Sequence, residues 1–318
     1  MIEPGPTRHL LDPEIAPLLD ALPMSEFTME TLDQVRIGSA ERFAFLGPPT
    51  HSAEVKVIDG PGGALEICWF DPAPGAKDRA ALLHIHGGGM ILGSAKSMQF
   101  GPATMAAALG IPVASVEYRL APEHPFPAPQ EDCLAGLKWL AGSAAALGID
   151  PARIGVIGES AGGGLAAMTA LMARDAGGPS LAAQILVYPM LDCRTGSAEC
   201  PYANRGTGEF LWTRASNRFG WSALRGDYAA DDHRKGWFSP ALAEDLSGLP
   251  PTWIGIGSLD LFFDEDLAYA RRLVDAGVPL ELHVYPGAPH AFNAVAEAQV
   301  AQAFNRDMLS AVARMLGI

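Results

Sequence analysis

Cysteine and positive charge are both scarce in this sequence. Four cysteines in 318 residues are too few for a disulfide scaffold. Cys193 and Cys200 are close enough in sequence to bridge locally, but free thiols are the simpler expectation. No C-x-x-C spacing occurs, which argues against a structural zinc site. With 22 Lys and Arg against 36 Asp and Glu, the net charge is −14, so we expect neither nucleic acid nor an anionic membrane as a partner.

Long apolar runs are also missing. No stretch of 18 consecutive apolar residues occurs, so the sequence predicts no membrane-spanning helix. The first 23 residues include an early Glu and several prolines, and they lack the basic start and apolar core of a secretory signal. These absences predict a cytoplasmic location.

From about residue 54 onward, apolar runs of strand length alternate with helical patterns. Several of these runs are almost continuously apolar, as expected for a sheet covered on both faces. The alternation predicts an α/β fold with a mostly parallel, eight-stranded sheet and helices on both faces. The predicted strands are 54–59, 64–70, 80–86, 112–117, 153–158, 183–188, 252–257 and 280–285. The predicted helices of this region are 97–109, 130–147, 161–176, 264–276 and 297–316.

Two stretches interrupt this alternation and predict a helical cap. Residues 1–45 contain two helical patterns, at 14–22 and 30–43. Residues 193–238 form a long insertion rich in aromatic side chains, and such insertions are often lids. We therefore divide the chain into an N-terminal part of the cap (1–45), a core in two parts (46–192 and 239–318) and a cap insertion (193–238). The alternative is that the insertion only decorates the surface.

One glycine-flanked serine has the setting of a nucleophile. Gly158-Glu159-Ser160-Ala161-Gly162 lies between a predicted buried strand and a predicted helix, which is the strand–turn–helix context of a nucleophile elbow. The turn is sharp, so its neighbours must be small. The alternative role for Ser160 is that of a helix N-cap.

An earlier glycine run has the setting of an oxyanion-binding loop. His86-Gly87-Gly88-Gly89 follows a predicted strand, and its backbone N–H groups could approach a substrate oxygen without side-chain obstruction. The N–H groups of Gly88, Gly89 and Ala161 would form a three-donor oxyanion hole; the alternative is a plain glycine-rich turn. His84 and His86 alternate like a metal-binding pair, but no third ligand follows, and we predict neither metal nor cofactor.

The general base and its acidic partner are predicted from chain order. In an α/β hydrolase the order is Ser, then Asp or Glu, then His. His290 follows the last predicted strand in a loop, whereas His233 lies in the insertion and His283 within a strand. Asp260 follows the seventh strand directly, and it is preferred to three later acids in which we expect a helix N-cap and first turn, namely Asp264, Glu265 and Asp266.

With these residues placed, the chain resembles the hormone-sensitive-lipase family of carboxylesterases, in its bacterial branch. The resemblance rests on segments that span nearly the whole chain: His86–Gly89, Glu117–Ala128, Gly158–Gly163, Ser239-Pro240, Asp260 with Asp264-Glu265, and His290–Phe292. It implies an α/β-hydrolase core with a cap and a metal-free Ser160–His290–Asp260 triad. It also implies an oxyanion hole of Gly88, Gly89 and Ala161. Glu159, Leu261 and Ala291 depart from the residues that this family more often has, which leaves the subgroup and the acyl preference open.

The sequence thus predicts a carboxylesterase that acts on short- to medium-chain acyl esters through an acyl-enzyme. An amidase or lactonase using the same triad is one alternative. A non-catalytic small-molecule receptor on this fold is another, although the receptors that resemble this family lack the histidine. Residues predicted to contact the substrate are Met90, Phe210, Trp212 and Trp221. The expected partner is a small-molecule ester, and a homodimer is compatible with the sequence.

Overall fold

The computed structural model describes residues 5–21, 27–43, 52–229 and 231–318. Position 22, where the first predicted helix ends, and positions 44–51, around the predicted boundary between cap and core, lie outside the described residues. No helix in the described parts is long and apolar enough to cross a membrane.

Eight strands form a single sheet, and this confirms the predicted fold class. Their order is β1-β2-β4-β3-β5-β6-β7-β8. The pairs β1–β2 and β2–β4 are antiparallel, and every later pair is parallel. The strands are β1 (Glu54–Gly60), β2 (Gly63–Phe70), β3 (Arg79–Ile85), β4 (Val113–Val116), β5 (Ile149–Glu159), β6 (Ala183–Val187), β7 (Thr252–Gly257) and β8 (Leu280–Tyr285).

Burial along the strands follows their place in the sheet. Every residue of β3, β4, β6 and β7 is buried, because these central strands have helices on both faces. The edge strands β1 and β8 are mostly half-buried or exposed. The hydrophobic core therefore lies on the middle of the sheet, and the loops at its carboxyl edge rest on a rigid base.

Ten α-helices lie among the described residues. They are α1 (Ala16–Ala21), α2 (Leu32–Phe43), α3 (Phe100–Leu109), α4 (Ala128–Gly142), α5 (Ala144–Leu147), α6 (Ala161–Asp175), α7 (Arg214–Arg225), α8 (Lys235–Phe238), α9 (Phe263–Asp275) and α10 (Gln299–Leu316). The single helix predicted over 130–147 is wrong in one respect, since it breaks at Ser143 into α4 and α5. Gly142 and Ser143 are poor helix formers, which explains the position of the break.

The N-terminal residues contact the insertion and the core. The Gly5 N–H donates to the Arg205 carbonyl at 2.7 Å, and the Asp12 N–H donates to the Gly287 carbonyl at 3.0 Å. The Thr7 hydroxyl donates to the Glu209 carboxylate at 2.6 Å. Residues 5–12 therefore lie across loops at the carboxyl edge of the sheet.

Candidate active site

Ser160 lies in a strained turn between β5 and α6. Its backbone has φ 58° and ψ −121°, a conformation that is costly for a residue with a side chain. The Ser160 N–H donates to the Val187 carbonyl at 2.9 Å, and the Met190 N–H donates to the Ser160 carbonyl at 3.0 Å. These bonds to the β6 edge hold the turn, and the Ser160 side chain makes no N-cap hydrogen bond.

The glycines of this turn are required by close backbone approach. A Cβ added to Gly158 would lie 2.2 Å from the Gly162 carbonyl oxygen, and one added to Gly162 would lie 2.0 Å from the Ile85 carbonyl oxygen. Both distances are far inside van der Waals contact, so neither position has room for a side chain.

Asp260, His290 and Ser160 form one row of hydrogen bonds. Nδ1 of His290 lies 2.7 Å from Oδ2 of Asp260, and Nε2 of His290 lies 2.9 Å from Oγ of Ser160. Asp260 is fully buried, whereas Ser160 and His290 each keep 6% of their surface exposed. The row therefore runs from a carboxylate in the interior to a hydroxyl that small molecules can reach.

Neighbouring groups orient two members of the triad, Asp260 and His290. The Phe262 N–H donates to the free Oδ1 of Asp260 at 3.0 Å, so both carboxylate oxygens are occupied. The rings of Tyr188 and Phe262 meet the His290 ring edge to face, with centroids 4.9 and 5.3 Å away. Burial, with the nearby Glu159 and Asp260 charges, raises the pKa of Tyr188 well above its usual value, so its hydroxyl stays protonated and donates to Asn293.

The glycine run after β3 forms a tight turn beside Ser160. Gly88 and Gly89 have φ values of 119° and 62°, which side chains rarely adopt. A Cβ on Gly87 would lie 3.4 Å from the Ser160 Cβ, so this turn contacts the nucleophile. In the described part of the chain, no hydrogen bond has the N–H of Gly88, Gly89 or Ala161 as its donor. The three N–H groups therefore remain the predicted oxyanion donors.

His86 holds the start of this loop and is uncharged. Its ring stacks on Tyr118 with centroids 4.2 Å apart, and its Nδ1 donates to the Gly87 carbonyl at 2.8 Å. Burial, which outweighs this hydrogen bond, lowers the pKa of His86 to about 3. The Tyr118 hydroxyl in turn donates to the His86 carbonyl at 3.0 Å, which fixes the backbone from which the loop departs.

One of the predicted substrate residues lies beside the triad. A Cβ on Gly89 would lie 2.3 Å from the Trp212 ring, and the Trp212 and His290 ring centroids are 6.4 Å apart. The indole N–H donates to Asn217 Oδ1 at 3.1 Å. Trp212 therefore covers the oxyanion loop at the edge of the site, and Phe210, also buried, belongs to the same segment.

The other two predicted substrate residues, Trp221 and Met90, are buried. Trp221 packs on Phe238, with centroids 5.5 Å apart, inside the insertion. Met90 is fully buried, and its carbonyl accepts a hydrogen bond from the Ala121 N–H. Substrate contact at these two positions stays a prediction.

Of the three acids at the start of α9, Glu265 and Asp266 lie in the first turn as predicted, whereas Asp264 does not have its predicted role. The prediction that Asp264 is an N-cap is wrong, because the cap position is Phe262 and Asp264 accepts from Asn204 instead. Glu265 is buried and accepts from the Leu191 and Asp192 N–H groups at 2.7 and 3.1 Å. The first-turn acidic pattern is typical of an exposed helix start, and only the packing of α9 against the loop after β6 reveals this burial.

Sequence reasoning missed two contributors to the site. Phe27 packs on Trp212 with centroids 5.5 Å apart, and no local pattern marks it. Arg36 of α2 donates to the Ile91 carbonyl at 2.7 Å, just after the oxyanion loop. A single Arg in a helix of 12 residues does not indicate from sequence that it contacts the loop.

Comparison with known proteins gives consistent results. Residues 82–294 match the family model described as alpha/beta hydrolase fold. Carboxylesterase NlhH of Mycobacterium tuberculosis is 34% identical over 308 residues, which cover 92% of each chain. Ethyl acetate hydrolase of Pseudomonas putida is 37% identical over 218 residues, which cover 67% of this chain and 66% of that one. Among solved structures, a bacterial heroin esterase superposes with a TM-score of 0.89 at 38% identity, covering 98% of this chain and 99% of its own.

Proposed function

The chain belongs to the alpha/beta hydrolase fold family, in its hormone-sensitive-lipase type, and on this premise we propose that it is a serine carboxylesterase of small-molecule esters. Similar proteins are named as carboxylesterase, ethyl acetate hydrolase and heroin esterase. The observation that carries the proposal is the unbroken row from Asp260 through His290 to the Ser160 hydroxyl.

In the first half of the reaction, Ser160 Oγ attacks the ester carbonyl carbon. His290 Nε2 takes the hydroxyl proton, because an unassisted serine hydroxyl is a poor nucleophile. Asp260 holds the His290 Nδ1–H and stabilises the imidazolium that forms. The same proton then passes to the leaving alkoxide, the alcohol departs, and the acyl group remains on Ser160.

The developing oxyanion accepts hydrogen bonds from the N–H groups of Gly88, Gly89 and Ala161. Loss of a single donor in such a hole typically costs about 3 kcal/mol of transition-state stabilisation. Ala161 also begins α6, and the N-terminus of a helix favours negative charge. In the second half, His290 activates a water molecule, which hydrolyses the acyl-enzyme and releases the carboxylic acid.

Replacement of the nucleophile is the direct test. Ser160→Ala should lower kcat for p-nitrophenyl acetate by several orders of magnitude, while His290→Ala does the same and His283→Ala does not. His283 pairs with Glu281 on β8, so it is a matched histidine outside the triad. Ser160→Ala with near-full activity would contradict the proposal.

The proposed acyl range is short to medium. A series of p-nitrophenyl esters from acetate to dodecanoate should show its maximum kcat/KM at eight carbons or fewer.

Matched amides and lactones test the alternative of an amidase or lactonase on the same triad. Undiminished hydrolysis in excess EDTA is expected from a metal-free reaction.

Location and assembly are two further proposals. We propose that the enzyme is cytoplasmic and that it forms a homodimer. Cell fractionation and analytical ultracentrifugation test these two statements separately.

A further inference from the structure

A second Ser–His–acid row lies under the active site. Nδ1 of His84 is 2.8 Å from Oγ of Ser115, and Nε2 of His84 is 3.1 Å from Oε2 of Glu159. Ser115 is fully buried and His84 keeps 2% of its surface exposed. Because Ser115 is closed to any substrate, this row is not a second nucleophilic site.

The row crosses three neighbouring strands at their carboxyl ends. His84 of β3 pairs with Ser115 of β4 in the sheet register, and Glu159 is the last residue of β5. His84 lies two residues before the oxyanion loop, and Glu159 directly precedes Ser160. The row therefore joins the strand that supplies the oxyanion donors to the strand that supplies the nucleophile.

These two strands end in turns that touch one another. A Cβ on Gly87 would lie 2.9 Å from the Glu159 carbonyl oxygen, and one on Gly162 would lie 2.5 Å from the His86 carbonyl oxygen. A shift of either strand end would therefore move the oxyanion donors relative to the Ser160 Oγ. Displacements of about 1 Å at a reacting centre can cost on the order of 100-fold in rate.

We propose that Ser115, His84 and Glu159 form a positioning row that sets the distance between the oxyanion loop and the nucleophile. The proposal rests on the proposed function. Ser115 fixes the His84 ring, and His84 fixes the Glu159 side chain. Glu159 is joined by its peptide bond to Ser160, so holding Glu159 also holds the start of the strained turn. Backbone strain of this kind persists only where the surroundings over-determine it.

The test removes the row without touching the triad. His84→Phe keeps a ring and deletes both nitrogens, and Glu159→Leu deletes the carboxylate at a partly exposed side chain. Each should lower kcat for p-nitrophenyl acetate about 10- to 100-fold, with KM within about threefold. The rate at which a p-nitrophenyl phosphonate modifies Ser160 should fall by the same factor. The double variant should be no slower than the slower single variant, because both changes break one connection.

A conservative replacement of Glu159 distinguishes the positioning role of its side chain from an effect of its charge. Glu159→Gln retains an amide that can bond to His84, so it should stay within about threefold of the wild-type kcat, and Ser115→Ala should lower kcat less than His84→Phe. If Glu159→Gln is as slow as Glu159→Leu, the carboxylate charge matters and the positioning proposal is overturned. Wild-type kcat in Glu159→Leu also overturns it, and this variant decides the matter if His84→Phe does not fold.

A matched pair elsewhere on the sheet provides the control. His283 and Glu281 of β8 are a His–Glu pair with a 2.7 Å contact, and His283→Phe and Glu281→Leu should leave kcat unchanged. Ser160→Ala keeps the two proposals apart. If that variant stays active the esterase assignment fails, whereas an inactive Ser160→Ala beside a fully active Glu159→Leu defeats only the positioning row.

Discussion

At the residue scale, the two oxygens of Asp260 have different partners. Oδ2 contacts His290, and Oδ1 accepts from the Phe262 N–H. In Asp260→Asn, an amide NH₂ that faced His290 could not accept the Nδ1–H, so the ring would take the wrong tautomer. We expect kcat for p-nitrophenyl acetate to fall about 10⁴-fold, with a thermal midpoint close to that of the wild type.

Asp264→Asn is the control for this change, because Asp264 contacts Asn204 and lies outside the triad. Its kcat should stay within about threefold of the wild type. A kcat for Asp260→Asn above one tenth of the wild-type value would contradict the assignment of Asp260.

Asp266 is the residue for which the sequence is least informative. The acidic start of α9 predicts solvent-exposed carboxylates, but Asp266 is fully buried, and neither of its oxygens has a hydrogen-bond partner among the described residues. Burial first, and then the charges of Glu265 and Asp260, raise the pKa of Asp266 well above its usual value. The folded protein therefore holds a proton that the unfolded chain, with a pKa of about 3.9, releases.

This difference makes stability depend on pH. Below pH 4 both states are protonated at Asp266, and the side chain adds no pH dependence. As the pH rises above 4, only the unfolded state loses the proton, so unfolding becomes more favourable by up to about 1.4 kcal/mol per pH unit until the folded pKa is passed. Asp266→Asn lacks this titration.

Urea unfolding between pH 4 and pH 8 measures the difference between the two proteins. The free energy of unfolding of Asp266→Asn, minus that of the wild type, should increase with pH. Parallel stability curves over this range would show that Asp266 is not held protonated.

At the element scale, residues 208–212, which precede α7, have an irregular backbone. Contacts with distant residues determine their conformation, and no repeating sequence pattern does. The Gly208 N–H donates to the Leu259 carbonyl, directly before Asp260, and Leu211 adopts φ 58°. These features turn Trp212 onto the oxyanion loop. Sequence patterns predict the central strands because burial sets their apolar runs, but the position of an irregular segment depends on contacts with distant residues.

Trp212→Ala should widen the range of esters. Removal of the indole beside Gly89 and His290 opens space at the edge of the site, so kcat/KM for octanoate relative to acetate should increase at least tenfold. Two p-nitrophenyl series, one varied in the acyl chain and one in the alcohol, show which side of the ester gains. The same two series with Trp221→Phe test the other predicted tryptophan, and an unchanged ratio in Trp212→Ala would mean that the Trp212 indole does not limit the site.

At the scale of the whole molecule, the row of Ser160, His290 and Asp260 could be predicted because each of these residues follows a strand end in a fixed order. The link between the N-terminal residues and the site could not be predicted. Arg36 donates to the Ala121 carbonyl and to both Glu123 oxygens as well as to the Ile91 carbonyl. The hydrogen bonds from Arg36 outweigh the opposing effect of burial and lower the pKa of Glu123 to about 2, so this ion pair persists throughout the neutral range.

Arg36→Met should loosen α2 from the core without unfolding the core. Hydrogen bonds to charged groups are worth about 1.5–3 kcal/mol each, so the loss of several should raise the population in which α2 is detached by tenfold or more. Limited proteolysis should then cut the first 51 residues faster, and KM should rise severalfold because Phe27, which precedes α2, packs on Trp212. Arg153→Met, at a salt bridge to Asp150, is the control, and equal cleavage rates in the two variants would mean that Arg36 does not hold α2 in place.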